Sequence, residues 1–163
     1  MKIGGEEESE VQNDSPTAAK STLRVFFAVT ANNKWKCETI DVKAAFLQGK
    51  KIERDIFVMP PPDAREIGII WKLEKVVYGL DDASRNWYFS VKETLLELVC
   101  LQSKLDKSLF RWYEGEILQG IFLMHVDDFL FAGSNNFRKF VINNLMEKYK
   151  MGKHQGGDFK YVG

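Results

Sequence analysis

Leu123-Met124-His125-Val126-Asp127-Asp128-Phe129-Leu130-Phe131-Ala132-Gly133 sets two adjacent aspartates between two apolar runs. Residues 121–126 and 129–132 are rich in β-branched and aromatic side chains, and each run reads as a strand. A two-residue Asp-Asp junction between such runs predicts a tight hairpin. Two carboxylates then sit at the tip of an otherwise buried ribbon. Carboxylate oxygens are preferred ligands of hard cations such as magnesium. Asp also favours turns through its own backbone hydrogen bonds. On this stretch alone, a solvated acidic turn and a cation site both stand.

Working outward, 163 residues fit one domain, and hydrophobic residues at 45% with aromatics at 13% suffice for a packed core. Lys+Arg and Asp+Glu both number 23, which argues against a strongly basic nucleic-acid-binding tail and leaves a local basic groove open. Cys37 and Cys100 form no CxxC and read as reduced core residues of an intracellular protein. His125 and His154 show no metal-ligand spacing. No apolar run approaches the ~20 residues of a membrane span, so no membrane partner is expected.

Residues 1–17 are polar and acidic, with Glu6-Glu7-Glu8-Ser9-Glu10, and read as a flexible leader to a domain over 18–163. Ser21 is a plausible N-cap for a helix ending near Asn32-Asn33, with Leu23, Phe26, Phe27 and Thr30 on one face. Residues 35–41 alternate as a strand that delivers Asp41 at its end, and a short helical turn over 43–47 stops at Gly49. Strands are expected over 54–59 and 69–74, separated by Pro60-Pro61-Pro62. Asp81-Asp82 can cap a helix running to about Leu98, with Trp87, Val91, Leu95 and Leu98 buried. Residues 109–113 and 116–126 form a hairpin around Glu114-Gly115. A last helix carries Phe137, Phe140, Val141 and Leu145, and the tail is read as glycine-interrupted, ending in a strand-like 159–163. This order predicts an α+β fold, a ferredoxin-like antiparallel sheet with helices packed on one face.

Three segments carry a family resemblance. Asp41-Val42-Lys43-Ala44-Ala45-Phe46-Leu47-Gln48-Gly49 resembles the first catalytic motif of copia-type retrotransposon reverse transcriptases. Tyr78-Gly79-Leu80 with Ala83-Ser84-Arg85-Asn86-Trp87-Tyr88 resembles their template- and nucleotide-facing helix motif. His125-Val126-Asp127-Asp128 resembles their catalytic hairpin, usually written with tyrosine first. The resemblance implies a reverse-transcriptase palm and two-metal nucleotidyl transfer, with Mg2+ or Mn2+ ions ~3.5–4 Å apart. Asp41, Asp127 and Asp128 would be both catalytic residues and metal ligands. Phe46 would meet the incoming sugar, Arg85 the template or nucleotide phosphates, and His125 the primer end. Implied partners are an RNA or DNA template with primer, deoxynucleoside triphosphates, and the integrase and RNase H domains of a Pol polyprotein. The implied setting is intracellular and cytoplasmic, within a virus-like particle for an intact element.

The chain departs from the pattern at His125, at Asp81-Asp82 in place of a common Lys-Gln, and at Ser84 in place of proline. These departures bear on template contacts more than on metal binding. The resemblance covers a palm-centred piece, with fingers and thumb largely missing, and the isolated piece is expected to be weak or inactive. Two other classes stay open: a non-catalytic ferredoxin-like nucleic-acid-binding module, against which stands the lack of an aromatic RNA-recognition strand signature, and an inert element remnant.

Overall fold

The computed structural model describes residues 15–64, 68–80 and 82–157. The acidic leader as far as residue 14, Asp81 and the 159–163 ending lie outside the described residues. At the centre, β6 (Ile117–His125) and β7 (Asp128–Gly133) pair antiparallel, with His125 opposite Asp128. The hairpin expected from the acidic pair is present, but its two turn residues are Val126 and Asp127, one position earlier than the Asp-Asp junction. Strand parity explains the offset. With Asp128 inside the ladder, Phe129 and Phe131 point to one face and Leu130 and Ala132 to the other, and both sets find buried partners.

β1 (Cys37–Val42) pairs with the other edge of β7, and β8 (Met151–Gly156) adds outside it. On the far side β5 (Leu109–Glu114) pairs with β6, and the two-residue β4 (Leu101–Gln102) with β5. The result is one six-stranded antiparallel sheet, ordered β4-β5-β6-β7-β1-β8. β2 (Phe57–Val58) and β3 (Trp71–Lys72) stand apart as a two-stranded ribbon, much shorter than the runs read over 54–59 and 69–74. Phe57, Met59, Ile70 and Trp71 are exposed there.

Helices cover both faces of the main sheet, not one as expected from the element order. α3 (Ala83–Glu97) lays Trp87, Val91 and Leu95 in the cluster that holds Phe122, Met124, Phe129 and Phe131. α1 (Lys20–Asn32) packs Phe26 with Ile121, Leu123, Leu130 and Ala132, which lie on the opposite face. The physical reason lies in the central strands. Their residues are apolar at consecutive positions rather than alternate ones, so each face requires cover. Phe27 falls outside that stripe and is 46% exposed.

The last helical segment is interrupted. Ser134 accepts a hydrogen bond from the Phe137 N–H and caps α4 (Asn135–Phe137). A π-helical turn, Arg138–Ile142, leads into α5 (Asn143–Lys148). The wider turn rotates the face, so Val141, Ile142 and Leu145 are buried while Phe140 is exposed and stacks on Trp112 at 6.1 Å. The Arg138 guanidinium meets the buried Glu38 carboxylate, which also pairs with His154 of β8 at 2.6 Å. This carboxylate joins β1, β8 and the π turn.

The start of α1 is not capped by Ser21. Its N-cap position is Ala19, and the capping carboxylate comes from Asp106, distant in sequence. Asp106 accepts from the Ala19 N–H at 3.1 Å, from the Thr22 hydroxyl, and from the Ser108 N–H and hydroxyl. Burial pushes its carboxyl up, but these hydrogen bonds outweigh burial and leave the pKa lowered. Asp106→Ala is expected to lower stability by ~1–2 kcal/mol, the scale of a lost helix cap. Because the folded-state pKa is depressed, this contribution is full above the ordinary carboxyl pKa and is lost as pH falls through the folded value. Thermal melts of wild type and variant should therefore converge in acid. A gap that persists at low pH would assign the loss to packing instead.

Candidate active site

Asp41 is the penultimate residue of β1 and lies directly opposite Asp128, the first residue of β7. Across the other edge of β7, Asp128 lies opposite His125. Residues directly opposite in a ladder share a face. His125, Asp128 and Asp41 therefore form a row across three strands, on the face that α1 partly covers. The apolar pairs Leu123/Leu130 and Ile121/Ala132 continue that face and are buried, whereas His125, Asp127, Asp128 and Asp41 are half-buried. Asp127 joins the row from the turn, and its carbonyl accepts the Val42 N–H at 2.9 Å. One backbone hydrogen bond thus links the two acidic motifs.

The row is electrostatically costly. Partial burial pushes the Asp128 carboxyl pKa up, the Asp127 and Asp41 charges push it further, and His125 opposes them. Carboxylates crowded in this way suit a cation. Among the described residues no three His, Cys, Asp or Glu side chains are arranged to hold a metal by themselves. That is compatible with magnesium, which is commonly held by one or two carboxylates with water and substrate phosphates completing the shell. The residues present fit a divalent ion of that kind.

Two structural details position the row, and neither was read from the sequence. The first is a β-bulge. Ile40 lies opposite His154 and Val42 opposite Met151, so Gly152 and Lys153 together face Asp41. A Cβ at Gly152 would lie 2.1 Å from Asp41 Oδ2, so the carboxylate occupies space that only glycine leaves open. The second is the turn itself. Val126 has φ 53°, a left-handed conformation that is costly for a β-branched residue. Its carbonyl accepts the Trp87 indole N–H at 2.8 Å. The sequence signal for β8 was obscured by Gly152, Gly156 and Gly157, which interrupt the strand pattern. Trp87 was visible only as a core residue.

Of the remaining candidates, Phe46 lies in α2 (Ala45–Gln48), just after Ala44 in a left-handed conformation at φ 47°. Its ring is 9% exposed and packs 4.4 Å from that of Tyr78, which is 58% exposed. Arg85 lies in the first turn of α3 with its guanidinium 5.5 Å from the Phe89 ring centroid. Asp82 occupies the N-cap position of α3 without making a capping bond; its carboxylate pairs with Arg54 at 2.9 Å instead. Among the described residues no helix is long and apolar enough to cross a membrane.

The profile of the family described as reverse transcriptase (RNA-dependent DNA polymerase) matches residues 2–163. The chain is 30% identical over 145 residues to the retrovirus-related Pol polyprotein from transposon RE1 of Arabidopsis thaliana, a match covering 86% of this chain and 10% of that protein. It is 28% identical over 145 residues to the corresponding polyprotein from transposon RE2 of the same plant, covering 86% and 10%. It is 28% identical over 154 residues to the polyprotein from transposon TNT 1-94 of Nicotiana tabacum, covering 91% and 11%. The chain thus spans about a tenth of the length of these relatives. No solved structure matches it.

Asp128→Asn offers a direct check of the charge crowding. A raised folded-state pKa means that ionising Asp128 opposes folding, so the penalty is absent at low pH and appears as pH rises through the folded value. The variant should melt with wild type in acid and above it near neutrality, in metal-free buffer. A variant that melts lower at neutral pH would show that the carboxylate makes a structural bond.

Proposed function

Because the chain belongs to the reverse transcriptase (RNA-dependent DNA polymerase) family, as the reverse-transcriptase domain of a copia-type retrotransposon Pol polyprotein, we propose that its acidic row is the palm centre of RNA-directed DNA synthesis. The observation that carries this reading is the register that sets Asp41 opposite Asp128, with Val42 bonded to the Asp127 carbonyl. It supports joint action by two motifs far apart in sequence.

In this reading Asp41, Asp127 and Asp128 are the residues that would hold two divalent ions, Mg2+ or Mn2+, with water and substrate phosphates completing the shell. When bound, such ions lower the pKa of a primer 3′-hydroxyl and neutralise charge on the triphosphate and departing pyrophosphate. The protein's own contribution is a fixed array of carboxylate oxygens on a rigid sheet, whose mutual repulsion favours cation binding. His125 takes the position usually held by tyrosine and packs beside the primer end. Phe46 backs the exposed Tyr78, and the two rings form the surface that meets the incoming sugar. Arg85 on α3 approaches the template or nucleotide phosphates. Partners on this reading are an RNA or DNA template with its primer, deoxynucleoside triphosphates, and the integrase and RNase H domains of the polyprotein. Its setting is the cell interior, in a virus-like particle for an intact element. The palm is ferredoxin-like in its antiparallel core.

Zero net charge gives the 163-residue chain weak, salt-sensitive template binding. Contacts remote from the reacting atoms supply much of the alignment that displacement requires. The expectation is therefore Mn2+ binding with little or no extension of a DNA primer on an RNA template. Asp127→Asn should abolish the Mn2+ binding. Gly152→Ala should weaken it by displacing the Asp41 carboxylate, whose Oδ2 the added Cβ would meet at 2.1 Å. Equal Mn2+ binding by wild type, Asp41→Asn and Asp127→Asn would refute the reading. Processive synthesis by this chain, lost in Asp127→Asn, would show that remote contacts matter less than argued.

A further inference from the structure

The turn that carries Asp127 is held from outside the hairpin at both of its carbonyls. The Val42 N–H of β1 holds the Asp127 carbonyl at 2.9 Å. The Trp87 indole N–H of α3 holds the Val126 carbonyl at 2.8 Å. Val126 needs such restraint. A β-branched residue at φ 53° stays in that conformation only where its surroundings over-determine it. In a free two-residue hairpin loop, left-handed positions go to Gly, Asn or Asp.

Trp87 is well built for the task. Its side chain is fully buried. The indole stacks on Phe129 at 6.3 Å with the rings 8° from parallel, and meets the edge of Tyr149 at 5.0 Å. Tyr149 is fixed in turn by hydrogen bonds from its hydroxyl to the Ser90 carbonyl and with the Thr94 hydroxyl, both on α3. These contacts restrain the indole, and its N–H is directed at the Val126 carbonyl. Packing alone would be served by any large ring. The polar edge of this one is spent on the turn backbone, on the opposite face of the sheet from the acidic row.

We propose that Trp87 is a positioning residue for the acidic site: its indole N–H locks the left-handed turn at Val126 and so fixes the Asp127 carboxylate relative to Asp41 and Asp128. This rests on the reading of the acidic row as a cation site. The bond acts on the metal ligands as an outer partner does, through orientation and not through contact with the reacting atoms.

The test uses the 163-residue chain with Mn2+ alone as probe, titrated by calorimetry, alongside thermal melts. Trp87→Phe keeps a large ring for Phe129 and Tyr149 but removes the donor. It should weaken Mn2+ binding about 10-fold, the lower end of losses seen when a ligand's outer partner is removed. Val126→Gly makes the left-handed turn intrinsic. Added to Trp87→Phe, it should restore most of the affinity, read against Val126→Gly alone. A purely packing role for Trp87 would show no such rescue, and unrescued loss overturns the proposal, as does Trp87→Phe binding Mn2+ like wild type. If Trp87→Phe does not fold, wild type decides by the Trp87 indole N–H resonance, assigned by substituting Trp35, Trp71 and Trp112 in turn. A shift on Mg2+ addition that is absent in Asp127→Asn supports the coupling; an unmoved resonance overturns it. Equal Mn2+ binding by wild type and Asp127→Asn instead refutes the cation-site reading, and the inference falls with it.

Discussion

The antiparallel pairing of β1 with β7 is the constraint on which the rest of the structure depends. It sets Asp41 opposite Asp128 and, in the same register, Ile40 opposite Phe129. The first pair is repulsive, and the second lies in the main aromatic and aliphatic core. Because side chains alternate strictly across a strand, neither pairing exists without the other. The core holds the register, and the register holds the charges together. A slip of one residue would carry Asp41 to the face where Phe122, Phe129 and Phe131 are packed, and there an unpaired carboxylate is far costlier than beside its own kind.

This arrangement separates the main apolar core from the acidic row by face. The α3 side is filled by Trp87, Phe110, Phe122, Phe129, Phe131 and Phe137, whose burial supplies most of the apolar stabilisation. The α1 side has a smaller cluster around Phe26 and is tied down at one end by the Asp106 carboxylate. The acidic row lies on that second face, where its side chains are only half-buried. Its electrostatic cost is borne by a core on the other side of the sheet.

Much of this was legible in the sequence, and the exceptions have physical causes. The central hairpin and the long helix with Trp87, Val91 and Leu95 carry local patterns strong enough to read, whereas the acids at 41, 127 and 128 were joined only by the resemblance of separated motifs. Helical periodicity marks an apolar stripe on α1 but cannot say which sheet face it covers, so its placement was missed. Ser21 looked like a cap because local chemistry favours it, and Asp106 won by a tertiary contact that no window spans. Phe140 was assigned to the core on ordinary helical spacing, and a π turn moved it out. The Asp-Asp pair suggested the turn residues by composition, yet strand parity shifted the turn onto a valine. β8 was hidden because three glycines interrupt its strand pattern.

The bulge in β8 has a second consequence, for association between molecules. Among the described residues β8 is the outermost strand on its side of the sheet, and a straight strand there would offer an unpaired backbone edge to another chain. The extra residue at Gly152 and Lys153 breaks the regular spacing along that edge and increases its twist. Lys153 is exposed and adds a charge to the same spot. The irregularity that makes room for the Asp41 carboxylate therefore also discourages sheets from joining edge to edge. Regularising β8 to strengthen its pairing would crowd the acid and open a template for aggregation in a single change.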